Sequence, residues 1–199
     1  HNSMMGSGYT SSYDKNVGIG AYALRYASTS SKNVAVGAYA MFKGSGAVNN
    51  VGIGFEAMYE ITSGNYHTAV GYQALKTTAT STDSVAVGYH ALYSQLAGTE
   101  NVGIGYQALY GLTSGQANAG YGYRALKSIT TGSYNTASGF DALYGISTGA
   151  YNVANGYRAL QNNNKDYIVG VGVYALSNNS GDGNTAVGYE ALKANAAGE

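Results

Sequence analysis

Ten carboxylates could do chemistry in this chain: Asp14, Glu56, Glu60, Asp83, Glu100, Asp141, Asp166, Asp182, Glu190 and Glu199. Cleaving a glycosidic bond takes two such groups at a fixed separation, one as acid and one as base or nucleophile. Glu56 and Glu60 lie close in sequence, but no second acid recurs beside them, and they read as solubilising surface charge. The histidines are His1, His67 and His90, with no spacing that would gather metal ligands. There is no cysteine, which removes a disulfide scaffold, a thiolate zinc site and a thiol nucleophile. Glycine strings such as Gly18-Ile19-Gly20 lack the spacing and the strand–helix–strand context of a dinucleotide site. No catalytic residue, metal or cofactor is therefore expected, and the chain does not read as an enzyme.

The elements that would position any site are more informative. The 199 residues include 30 Gly and 21 Tyr, no Pro and no Trp, and only 10% are charged. Formal net charge is zero, so there is no electrostatic footprint for nucleic acid or anionic lipid. Gly, Asn, Ser or Thr interrupts every apolar run well short of the roughly 20 residues of a membrane span, and membrane insertion is not expected. His1–Met4 read as a tag remnant, and residues 1–15 as a lead-in to one repeat domain over 16–199.

The repeat is strict. Counting from the second glycine of each "GIG", the anchors are Gly20, Gly37, Gly54, Gly71, Gly88, Gly105, Gly122, Gly139, Gly156, Gly172 and Gly188. Successive anchors are 17 residues apart, then 16 in the last two steps. Three residues after each anchor stands Ala, followed by Leu or Met. Four before it stands Asn, except at His67, Ser84 and Ile168. The stretch N-V-G-I-G-Y alternates with a period of two, which predicts a β-strand, and the T-S-G that follows predicts a turn. The intervening Y-x-A-L fits a second short strand or a single helical turn.

A unit this short cannot bury its own apolar face, so consecutive copies must stack. The expected fold is all-β: a parallel β-solenoid or β-roll of about eleven 17-residue coils, a rod about 50 Å long at the strand spacing. Val and Ile are expected to form an interior ladder, with Leu closing the core. The recurrent Asn is expected to form a corner ladder, with His67 replacing one rung by a ladder hydrogen bond.

The opposite strand face is held to Gly or Ala two residues before every anchor. Small residues permit close approach by another backbone, and a second copy of the chain is the natural candidate. This reading makes Ala35, Gly52, Ala69, Ala86, Gly103, Gly120, Ala137 and Ala154 the interface residues of a self-assembly.

The motifs N-V-G-I-G and N-T-A-V-G resemble the head repeats of trimeric autotransporter adhesins. The longer N-T-A-V-G-Y-x-A-L pattern, at His67–Leu75 (with His for Asn), Asn101–Leu109 and Asn184–Leu192, is similar to repeats of bacteriophage tail fibres. The likeness covers Asn16 to Leu192 and implies a homotrimeric fibre that is a virion component in the phage tail and serves host attachment. Its partners would be itself and a bacterial surface receptor, a glycan or an outer-membrane protein. The stop at Gly198-Glu199, within the turn, gives the expectation of a fragment of a longer fibre. Alternatives are the head of a trimeric adhesin on the bacterial cell surface and a polysaccharide-degrading tailspike. The likeness carries no binding residues across.

Candidate receptor contacts come from the column two residues after the anchor, which varies while its neighbours do not. Within it, His90, Gln107, Arg124, Asp141 and Arg158 are the candidates; the last three also read as a surface salt-bridge ladder. The residue before the anchor is Val or Ile in eight copies but Tyr121, Ser138 and Asn155 in three consecutive ones, which predicts polar groups needing partners inside the core. The residue after the anchor is aromatic in most copies, which predicts a stack at coil spacing.

Overall fold

Each repeat contributes one three-residue strand, from Val17–Ile19 (β1) to Thr185–Val187 (β11), in the computed structural model of the chain. The structure describes residues 15–194; His1–Met4, Asp14 and Gly198-Glu199 fall outside the described residues. The eleven strands form one parallel sheet in chain order, and the described residues contain no helix. Pairing keeps the repeat register throughout, as Val85–Val87 (β5) and Val102–Ile104 (β6) show with Val85 opposite Val102 and Ala86 opposite Gly103. The two shorter steps keep it too, because Val153 pairs with Val169 and Val169 with Thr185. The missing residues come out of the turns. The fold is a β-solenoid.

Hydrogen bonds between coils continue beyond the strands. Gln107 N–H donates to Tyr89 C=O at 2.9 Å, Leu109 N–H to Ala125 C=O at 3.0 Å and Gly111 N–H to Lys127 C=O at 2.9 Å. The Y-x-A-L stretch is neither strand nor helical turn. Its second and fourth residues adopt the left-handed region, as in Gln107 (φ 54°) and Leu109 (φ 50°), and so fold the chain back on itself. The anchor glycine needs both its backbone and its smallness: Gly105 has φ 136°, and a Cβ there would collide with the carbonyl of Gly122 in the next coil.

Asn33, Asn50, Asn101, Asn118, Asn135 and Asn152 form the expected corner ladder, fully buried. Asn101 Oδ1 accepts from the backbone N–H of Asn118 at 2.9 Å and from its Nδ2 at 3.2 Å, while Asn101 Nδ2 donates to Gly115 C=O at 2.8 Å. Each side chain thus satisfies a backbone group of the coil above and one at the corner, as buried polar groups must be.

The two strand faces are divided as the alternation predicts, but their sense is reversed. Val and Ile point outward: Ile104 is 39% exposed and Ile19 is 58% exposed. Ala35, Gly52, Ala69, Ala86, Gly103, Gly120, Ala137 and Ala154 are buried inside the chain's own coil and line no interface. The backbone and side chains that require their smallness belong to the same chain. A Cβ on Gly103 would lie 3.2 Å from both Leu92 Cγ and the Ala108 carbonyl. The coil is so narrow that its interior holds the Leu or Met ridge, the Ala beside it and only Gly or Ala from the strand. For the same reason Tyr121, Ser138 and Asn155 lie on the outer strand face rather than in the core.

Candidate functional site

Three outward features run along the rod. The first is the outer strand face, with its Val and Ile rungs beside the column of aromatic residues that follow the anchors. From Phe55 through Tyr72, Tyr89, Tyr106, Tyr123 and Phe140 to Tyr157, successive rings lie 4.8–5.4 Å apart and stack within 20° of parallel. The stacking predicted from the repeat is present, and the rings keep their outer edges in solvent.

The second feature is the column two residues after the anchor, which carries the five receptor candidates. Arg124 and Asp141 form a bidentate pair, with Nε to Oδ1 at 2.8 Å and Nη2 to Oδ2 at 2.7 Å. Arg158 approaches the same carboxylate from the next coil at 3.7 Å. Asp141 is therefore covered, its side chain 1% exposed, while Arg124 and Arg158 remain 28% and 34% exposed. The hydrogen bond to Asp141 raises the pKa of Arg124, which keeps it charged. Its guanidinium also lies 5.0 Å from the ring centre of Tyr123 and 4.8 Å from that of Tyr144. Arg158 lies 5.1 Å from the Tyr157 ring and donates through Nη1 to Tyr174 Oη at 3.3 Å. The salt-bridge ladder is thus real, and Asp141 is committed to it. Only the arginine edges reach solvent.

His90 sits in a tyrosine nest, its ring 3.9 Å from Tyr89, 4.9 Å from Tyr93 and 5.9 Å from Tyr110. Burial, and next the nearby Lys76 charge, lowers its pKa. Its two ring nitrogens are enclosed and make no hydrogen bond within the chain. Gln107 occupies the next rung, half-buried, between His90 and Arg124. The acids Glu56 and Glu60 are held in ion pairs, with Lys76 at 2.9 Å and Lys43 at 2.6 Å. Among the described residues no group of three or more His, Cys, Asp or Glu is placed to hold a metal ion.

The third feature escaped the sequence reading. Tyr134, Tyr151 and Tyr167 stand five residues before their anchors and form a separate exposed row, with ring centres 5.0 and 5.2 Å apart and planes within 6°. Each holds a left-handed backbone (φ 59–60°), which is costly for a bulky residue. The available signal was Tyr at one offset in three consecutive copies. Together the three features offer aromatic edges, hydroxyls, amides and guanidinium groups, a set suited to holding a polyhydroxylated or anionic ligand. No family model, curated protein or solved structure matches the chain.

Proposed function

We propose that this chain is a structural and receptor-recognition segment of a homotrimeric bacteriophage tail fibre that binds the bacterial surface without enzymatic action. The observation that carries the reading is the outward Val, Ile and aromatic stripe, which runs along one face of the whole rod. Exposed apolar surface of this kind marks an interaction site, and the stripe, broken only by the polar rungs Ser138 and Asn155 before the anchors, repeats with the coils, as an assembly of parallel identical chains requires. The interface is therefore the Val/Ile face rather than the Gly/Ala face. The resemblance of N-T-A-V-G-Y-x-A-L to fibre repeats supplies the threefold symmetry.

In this arrangement a stiff rod carries three copies of each surface column, and avidity multiplies a weak single contact. Arg124, Arg158, Gln107 and the tyrosine rows supply the contacts. Incubation with a panel of bacterial surface polysaccharides and intact cells tests the reading. Saturable binding that weakens several-fold in Arg124→Ala, with the polysaccharide recovered at full length, is expected. Release of oligosaccharides would make the chain a depolymerase, and absence of binding across the panel would count against a recognition role.

A further inference from the structure

The Asn ladder changes character at the fourth and fifth coils, those of Gly71 and Gly88. His67 replaces the asparagine of one rung and Ser84 that of the next. His67 does the work of Asn with a ring. Its Nδ1 accepts the backbone N–H of Ser84 at 3.2 Å, where Asn uses Oδ1, and its Nε2 meets Ser81 C=O at 2.9 Å, where Asn uses Nδ2. These partners specify the neutral ring with its proton on Nε2. Its own backbone N–H donates to Asn50 Oδ1 at 2.8 Å. The ring is fully buried.

The next rung is weakly built. Ser84 is too short to reach Gly98 C=O, and Gln95 Nε2, from across the coil, donates there instead and also to Ser84 Oγ at 2.9 Å. Asn101 N–H reaches Ser84 Oγ only at 3.3 Å. Gln95 Oε1 is enclosed and has no partner in the chain. Four polar side chains, His67, Ser81, Ser84 and Gln95, thus sit buried at a joint where the sixth to eighth coils place Asn, Gly and Leu or Ile.

We propose that His67 makes this joint acid-labile, so that protonation opens the corner between the fourth and fifth coils while the rest of the rod stays intact. A second ring proton must go on Nδ1, where it points at the Ser84 N–H and replaces an acceptor by a donor. Turning the ring over presents carbon edges to both partners, so neither orientation rescues the rung. Asn50, Gly64, Ser81 and Ser84 around the ring are uncharged. Asp83 is the one carboxylate whose charge acts on it, and it favours protonation. Burial is the larger influence and holds the His67 pKa below its ordinary value of 6.5. The unfolded or opened corner therefore takes up a proton more readily than the closed one. Stability is complete above pH 6.5 and falls as pH drops from there towards the folded-state pKa, with the opening equilibrium rising by up to about tenfold per pH unit in that window.

Amide hydrogen exchange on the intact chain from pH 7.5 to 5, corrected for intrinsic rates, tests this for the wild type, His67→Asn and His90→Gln. Protection at Ser84 and its corner should be flat above pH 6.5 and fall below it, by up to about tenfold per pH unit, in the wild type and in His90→Gln. It should stay flat in His67→Asn, which restores the residue of the other rungs. Equal pH dependence in wild type and His67→Asn, or none in the wild type, overturns the proposal. So does failure of His67→Asn to fold, because the ring would then not be standing in for Asn.

Discussion

Leu109 is held in a left-handed backbone (φ 50°) that an L-residue with a branched side chain avoids, yet it is fully buried in the ridge of the core. The strain costs about 1–2 kcal/mol, and burying a leucine side chain stabilises by about 1.5–3 kcal/mol. Burial wins, and this is why the position after the invariant Ala carries Leu or Met instead of Gly. The balance reverses an ordinary ranking. Leu109→Ala loses the side chain and keeps the strain, so it should destabilise by about 2–5 kcal/mol. Leu109→Gly loses the side chain and relieves the strain, so in chemical denaturation it should match or exceed the alanine variant by about 1 kcal/mol. A glycine variant clearly less stable than the alanine one would refute the argument.

The coil is the element, and its polar and apolar positions exchange places in pairs. Four coils put Asn at the corner and Leu or Ile across the core: Asn50 with Ile61, Asn101 with Leu112, Asn118 with Ile129 and Asn135 with Ile146. The fifth coil has Ser84 with Gln95, and the tenth has Ile168 with Asn179, whose Nδ2 donates to Gly181 C=O at 2.6 Å. The amide has moved across the coil, but it still reaches the corner. Ser84→Asn places a second amide against the Gln95 amide and should destabilise; Gln95→Leu leaves the corner carbonyl without a donor and should also destabilise. The double variant rebuilds the common coil and should equal or exceed wild type, with a coupling of about 1–3 kcal/mol in a double-mutant cycle. Additive losses would mean that the two positions do not compensate. Much of this element was legible beforehand: the coil length, the strand, the turn and the Asn corner all follow from offsets that recur. The inward sense of the strand was not, because a period of two separates the faces of Val102 and Gly103 without saying which one meets the core. That depends on the width of the coil, set by the Leu ridge and by left-handed turns carrying Gln107 and Leu109, which have none of the Gly or Asn that usually announces them. Arg124, Asp141 and Arg158 were recognisable as neighbours because the register stacks them. The tyrosine row of Tyr134, Tyr151 and Tyr167 was hidden by its place in the most variable part of the repeat.

At the scale of the whole molecule, the reversed strand face moves the proposed interface to the outside of the coil. Ile53, Ile104 and Val153 remain 39–40% exposed, whereas Ala86 and Gly103 are enclosed by their own coil. The Val/Ile face and the buried Gly/Ala face should therefore respond differently to substitution: a charge on the former should separate chains, and bulk on the latter should disrupt the fold. The polar rungs Ser138 and Asn155 interrupt the stripe in the middle coils without breaking the aromatic column, which continues through Phe140 to Tyr157. The most direct test is the mass in solution by light scattering, for the wild type and for Ile104→Glu. Three times the 20.5 kDa chain is expected for the wild type, and a single chain with unchanged β-signal in circular dichroism for Ile104→Glu. A wild type that runs as a single chain, or an Ile104→Glu variant that stays fully assembled, would contradict the account.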